Sequence, residues 1–302
     1  MAAARRTFDP VGCGYGQQMQ LASAKTEAPP ATVHPVKPPR SLLVATGRAI
    51  GDYAMIRPGD RVLLGLSGGK DSLCLLHVLL HLASKSPVRF ELGAATVDPQ
   101  SPDYFPAPLK PYMQALGVPY FVESYPVVKQ AETSMRGDSF CAFCARLRRG
   151  MLYGAARREG YNVLALAQHL DDLAETFLMS AFYGGRLRTM QAHYTNDDGD
   201  LRIIRPFVYV RERQTAAFAK AAALPVIMEN CPACFSRPTA RYSMKQKLAA
   251  LEADNGKLFN NLRTALKPLM GGIPGALKGN VTCGTTSVGD IVKADTQPGD
   301  PF

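Results

Sequence analysis

The chain has 302 residues, 46% of them hydrophobic, with a formal net charge of +10 and a pI near 9.3. That length suits one large α/β domain or one domain with appendages, and the apolar content supports a real core. No run approaches the roughly 18 apolar residues of a membrane span, so the protein is expected to be soluble, without a membrane partner, and the charge favours a polyanion, nucleic acid first.

Residues 1–40 hold six prolines and no hydrophobic period, and are expected to form a disordered tail. From Ser41 a short amphipathic helix (Leu42, Leu43, Ala49, Ile50, Met55) leads into a strand at Val62–Leu66. A helix is expected at Ser72–Ala83, a strand at Phe90–Val97, a helix at Pro108–Leu116 and a strand at Tyr120–Glu123. A helix over Ala145–Arg158, a strand at Val163–Ala167 and a helix at Leu173–Phe182 follow. A short strand at Arg202–Ile204, a helix at Arg213–Ala223 and a strand at Pro225–Met228 close the series. This β–α repetition predicts a parallel twisted sheet with helices on both faces, binding its ligand at the carboxyl ends of the strands. The expected division is a nucleotide-binding α/β domain at 41–230, a helical extension at 231–270 and a glycine-rich tail at 271–302.

The junction Leu66-Ser67-Gly68-Gly69-Lys70-Asp71-Ser72 follows the first strand and opens a helix. A helix N-terminus offers unpaired N–H groups and a positive dipole end, and the glycines let a phosphate approach the backbone. Lys70 adds charge, and Ser67 and Ser72 add hydroxyl donors. It is not a Walker A loop, which needs Gly-Lys-Ser/Thr, whereas Lys70 is followed by Asp71. The form Ser-Gly-Gly-x-Asp-Ser resembles the PP-loop of ATP pyrophosphatases, so ATP is the expected ligand.

Val97 and Asp98 end the second strand at the same sheet edge, and an Asx turn made by Asp98 is the blander alternative. Ala167-Gln168-His169-Leu170-Asp171-Asp172 ends the fourth strand. A histidine and two carboxylates there suit Mg²⁺ and phosphate, because Mg²⁺ binds through one or two carboxylates plus substrate phosphates. The alternative is that Asp171 caps the next helix while Asp172 is solvated. Seven cysteines, four of them in the pairs Cys141-x-x-Cys144 and Cys231-x-x-Cys234, indicate a reducing compartment and metal or redox use. Cys144 and Cys231 are 87 positions apart, too far for a self-contained zinc ribbon, so the pairs can meet only through tertiary structure. Cys74, between Leu73 and Leu75, reads as a buried apolar residue.

These motifs, with Cys-x-x-Cys-x-Arg-Leu-Arg-Arg-Gly at 141–150, His169-x-x-Asp-Asp, Phe182-Tyr183-Gly184-Gly185 and Ile204-Arg205-Pro206, together resemble the tRNA 2-thiocytidine synthetases. The resemblance covers roughly residues 42–265 and departs at Gln168, where the family more often has glycine or histidine. It implies an adenine nucleotide alpha hydrolase-like fold and an ATP site formed by Leu66, Ser67, Gly68, Gly69, Lys70, Asp71, Ser72, Val97, Asp98, Ala167, His169 and Asp171. Lys70, Asp71, Arg148 and Asp172 become the catalytic candidates, Arg148 standing where related thiolases carry a functional lysine. It also implies Mg²⁺ and a [4Fe–4S] cluster on Cys141, Cys144 and Cys231, with Cys234 as the alternative third ligand, leaving one iron open to sulfide.

In the reaction so implied, the C2 oxygen of a tRNA cytidine attacks the α-phosphate of ATP, pyrophosphate leaves, and sulfide displaces AMP from C2. The implied partners are tRNA and a cysteine desulfurase or other sulfur donor, the implied location is the cytoplasm, and a homodimer is compatible with it. Arg146, Arg149, Arg186 and Arg205 are the expected RNA contacts, with Arg188, Arg202, Arg211, Arg213, Arg237 and Arg241 recurring near the motifs; a merely solvated basic face is the alternative. Rival readings are a 2-thiouridine-type thiolase, a lysidine synthetase-like ligase, which would need no thiolates, and a nucleic-acid-binding protein with structural zinc.

Overall fold

A computed structural model describes residues 34–101, 104–127, 130, 140–227 and 239–271. Cys231, Cys234, Arg237 and residues 1–33 and 272–302 lie outside the described residues. The expected tail at 1–40 ends earlier than that: residues 34–39 are placed against the domain, with Val36 N–H donating to His77 Nδ1 at 3.1 Å, and Arg40 opens the first helix. In chain order the elements are α1 (Arg40–Asp52), β1 (Asp60–Gly65), α2 (Lys70–Lys85), β2 (Phe90–Asp98), α3 (Leu109–Ala115) and β3 (Tyr120–Ser124). Then come α4 (Phe140–Arg158), β4 (Val163–Ala165), α5 (Leu170–Gly184), β5 (His193–Thr195) and β6 (Arg202–Ile204). The series ends with α6 (Glu212–Ala221), α7 (Ala240–Asp254) and α8 (Leu258–Met270).

The strands form one sheet in the order β3-β2-β1-β4-β6-β5. β1 pairs in parallel with β2 and β4, β2 with β3, and β4 with β6, while β5 runs antiparallel to β6 at the edge. Alternation along the strands feeds two cores. Val62, Leu64, Val163, Ala165 and Ile204 face one side, where α1, α2, α3, α5, α6, α7 and α8 contribute apolar residues. Leu63, Ala95, Val97, Leu164 and Ile203 face the other, against Leu152, Ala155 and Ala156 of α4. On that second face Gly93 is required by close approach: a Cβ there would lie 2.1 Å from the Tyr161 hydroxyl.

Two expectations need correction. The sequence carries no signal for β5, because His193-Tyr194-Thr195 has no apolar run to mark an edge strand. The expected strand at Pro225–Met228 is not formed over its described part, 225–227. Pro225 has no N–H to give a ladder, and the segment instead reaches the phosphate loop through one bond, Ile227 N–H to Gly68 O at 2.9 Å.

The chain leaves β1 toward β2 and returns through β4 on the opposite side, so the switch point of the sheet lies between β1 and β4. A ligand crevice is expected outside the carboxyl ends of these two strands, where the 66–72 and 167–172 segments meet. No helix among the described residues is long and apolar enough to cross a membrane.

Candidate active site

The loop after β1 is built for an anion. Gly68 has φ +83°, a conformation strained for any side chain, and a Cβ there would lie 3.0 Å from the Ile227 side chain. Gly69 is the N-cap of α2, and no side chain caps the helix, which leaves its first N–H groups facing the crevice. Ser67 Oγ accepts from Gly69 N–H at 3.2 Å and lies 3.2 Å from Ser72 Oγ, whose hydroxyl donates to Gly69 O at 2.9 Å. Two further bonds hold the loop: Thr96 donates to Leu66 O at 2.6 Å and Tyr104 donates to Ser67 O at 2.9 Å.

Lys70 stands at the opening of this helix. Its ammonium donates to Asp71 at 3.0 Å and to Glu212 of α6 at 2.9 Å. Burial works to lower its pKa, but the two carboxylates outweigh burial and hold it above the ordinary lysine value. Glu212 also receives Lys245 of α7 at 2.6 Å. Burial would raise the Glu212 carboxyl, yet its lysine partners hold it down to about 2. Asp71 additionally accepts a short bond from the Thr215 hydroxyl and lies 3.8 Å from His169 Nε2.

His169 is the N-cap of α5, which begins three residues earlier than expected. Its Nδ1 accepts from Asp172 N–H at 3.3 Å, and Asp172 accepts from His169 N–H at 3.0 Å, closing a capping box. With Nδ1 an acceptor, the neutral ring carries its proton on Nε2, toward Asp71. Asp171 is not the cap: it accepts from Arg211 at 3.1 Å and from Glu212 N–H at 2.8 Å. Nor is Asp172 merely solvated, since Arg241 of α7 reaches it at 3.4 Å and the buried Glu175 at 3.2 Å. Burial, with Asp172 nearby, raises the Glu175 carboxyl. Asp98 makes the Asx turn, accepting from Gln100 N–H at 2.9 Å.

Cys141 and Cys144 fall within the first five residues of α4, and Arg146, Arg148 and Arg149 follow on the same helix. The Arg148 guanidinium lies 6.0 Å from the centre of the Tyr104 ring, whose hydroxyl holds Ser67 O. A chain of contacts thus joins the cysteine-bearing helix to the phosphate loop. Of the arginines expected to face RNA, Arg146, Arg186 and Arg188 are exposed, and Arg148 and Arg149 are half-buried. Arg205 is not at the surface: it is 6% exposed and donates to Gln168 at 3.0 Å and to Gln191 O at 2.6 Å, beneath the Tyr194 ring. Arg205, expected as an RNA contact, is therefore an internal residue, and Arg202 and Arg211 are held in ion pairs within the domain, Arg202 with Asp60 and Arg211 with Asp171 and Glu252.

Residues 45–248 match the family model of the PP-loop domain. Over 225 residues the chain is 40% identical to the tRNA-cytidine(32) 2-sulfurtransferase of Geobacter sulfurreducens, covering 74% of this chain and 87% of the relative. Over 228 residues it is 42% identical to that of Syntrophotalea carbinolica, covering 75% and 88%. The chain belongs to the tRNA-cytidine(32) 2-sulfurtransferase family. The resemblance drawn from the motifs is borne out, and with it the reading of the chain as a sulfurtransferase-family enzyme with an ATP-binding PP-loop domain. The fold is shared with the U34-tRNA thiolase NcsA from Methanococcus maripaludis, solved with its [4Fe-4S] cluster: TM-score 0.62, 21% identity, 79% of this chain and 80% of that one.

In this family member the sequence reading missed a ring of supporting residues. Tyr104, Glu212 and Thr215 reach the loop or its lysine and Lys245 backs Glu212, yet none lies in a recognisable motif. The one available signal was Glu212 at the start of a helix, which reads equally as dipole compensation. Cys74 is buried as expected, its thiol pushed up to about 12 by burial.

Proposed function

We propose that this protein adenylylates the C2 oxygen of a tRNA cytidine with ATP and replaces that oxygen by sulfur, in the cytoplasm, with a cysteine desulfurase or other donor supplying the sulfur. The observation that carries this reading is the Arg148–Tyr104–Ser67 chain, which ties the helix bearing Cys141 and Cys144 to the phosphate loop. Phosphate binding and sulfur delivery then share one edge of the sheet.

The α2 N-terminus and Gly68–Gly69 receive the ATP phosphates, and Lys70 neutralises charge on them as pyrophosphate departs. To do so Lys70 exchanges Asp71 or Glu212 for a phosphate oxygen. Asp71 is then the carboxylate best placed to accept Mg²⁺ with the phosphates, since one or two carboxylates suffice for that ion. Thr215 keeps Asp71 oriented through its hydroxyl. Arg148, one turn after Cys144 on α4 and facing the Tyr104 ring that holds the loop, is suited to the anionic adenylylated base.

Among the described residues no group of three or more His, Cys, Asp or Glu side chains is arranged to hold a metal ion. The donor set proposed for a cluster is therefore judged on its chemistry: thiolates at i and i+3 in one helical turn, with a third from 231 or 234, are ligands that iron–sulfur clusters take. Such a cluster, when bound, supplies an iron position for sulfide.

The test is anaerobic incubation of the reconstituted protein with unmodified tRNA, ATP, Mg²⁺ and sulfide, followed by nucleoside mass spectrometry and assay of pyrophosphate. A thiolated cytidine with pyrophosphate release is expected, and Asp71→Ala should lose both. Pyrophosphate release without any thiolated nucleoside would overturn the sulfur-transfer reading.

A further inference from the structure

The C-terminal end of α5 carries an aromatic and basic surface that the ATP site does not use. Phe182 and Tyr183 are each 63% exposed and Leu187 is 69% exposed. Ten large apolar side chains are exposed among the described residues, and three of them fall within these six positions. Gly185, at φ +58°, ends the helix, and Arg186 and Arg188 stand exposed beyond it. The returning chain is pinned to the helix by the Thr189 hydroxyl, which donates to Leu173 O at 2.7 Å. From Thr176 to Asn196 there is no Asp or Glu.

We propose that Phe182, Tyr183 and Leu187, framed by Arg186 and Arg188, are a stacking platform for unpaired bases of the RNA substrate. This rests on the tRNA-modifying reading above. Exposed rings among cations and without acids match what a single-stranded nucleic acid presents, π-faces joined by phosphates. A second copy of the chain fits worse, because a two-fold contact through this surface would set Arg186 and Arg188 against the same arginines. At 1.5 Å rise per residue, the platform lies roughly 20 Å along α5 from the His169 cap. It therefore holds nucleotides flanking the target, while the target base enters the crevice.

The chain has no tryptophan, so Phe182→Trp introduces a single fluorophore at the platform. Stacking predicts quenching of that fluorophore by unmodified tRNA and by a short single-stranded RNA, but not by a blunt RNA duplex of the same length. Phe182→Ala with Tyr183→Ala should weaken tRNA binding about tenfold or more without altering its salt slope. Arg186→Ala with Arg188→Ala should instead reduce that slope, by about 0.7 for each single-strand phosphate that the variant no longer neutralises. Unchanged affinity in the double aromatic variant, while the wild type binds tRNA, overturns the platform alone. A dimeric wild type made monomeric by the aromatic variant, with RNA affinity unchanged, also overturns it. Failure of the wild type to bind tRNA at all would instead sink the tRNA reading on which the platform depends.

Discussion

Glu212→Gln isolates the charge network that holds the phosphate-loop lysine. Glu212 joins Lys70 at 2.9 Å and Lys245 at 2.6 Å, and its side chain is 24% exposed. Its carboxyl moves from the ordinary 4.5 to about 2 on folding. At 1.36 kcal/mol per tenfold in proton affinity this is worth about 3 kcal/mol, and screening at a partly exposed site reduces it to about 2 kcal/mol. The sign follows from a folded pKa below the unfolded one. The stabilisation is fully present above about pH 4.5 and fades as pH falls toward 2. Urea unfolding of wild type and variant should therefore differ by about 2 kcal/mol at pH 7. By pH 3 the difference should shrink to less than half of that. Other groups titrate alike in both proteins and cancel in the comparison. A difference that is the same at both pH values would refute the ion-pair origin and leave a packing or helix-terminus effect. Because Lys70 is released from one partner, the variant should also show altered ATP affinity at pH 7, measured by calorimetry.

Changing Cys141, Cys144 or Cys231 to Ala should each abolish the visible absorption of the anaerobically reconstituted protein together with thiolation, while ATP binding persists, because the phosphate loop sits on a separate strand–helix unit. Cys234→Ala should be much milder; four equally necessary cysteines binding one zinc and no iron would replace the cluster with a structural site. Gly93→Ala places a Cβ 2.1 Å from the Tyr161 hydroxyl and 2.6 Å from its ring carbon, so thermal or urea unfolding should show a loss of about 1–3 kcal/mol or more. Trimming Tyr161 to Leu in the same chain should return part of that stability.

The sequence by itself determined the parallel centre of the sheet and the phosphate loop, but not the antiparallel edge strand β5. Val62–Leu66, Phe90–Val97 and Val163–Ala167 are apolar runs long enough to be buried on both faces, and a strand, a glycine turn and an amphipathic helix leave few alternatives for Ser67–Ser72. The loop is legible because its chemistry is local: a positive φ at Gly68 and an uncapped helix start are properties of consecutive residues. The partners of its charges are not local. Glu212, Thr215 and Lys245 lie more than 140 positions from Lys70 and Asp71, and any exposed Glu or Lys would look the same in the sequence. The arginines make the same point. Arg186 and Arg205 are equivalent in composition and spacing, yet one is exposed beyond α5 and the other is buried beside Gln168 and Tyr194. Burial and pairing of a charge depend on which elements pack around it, and only the tertiary structure decided that.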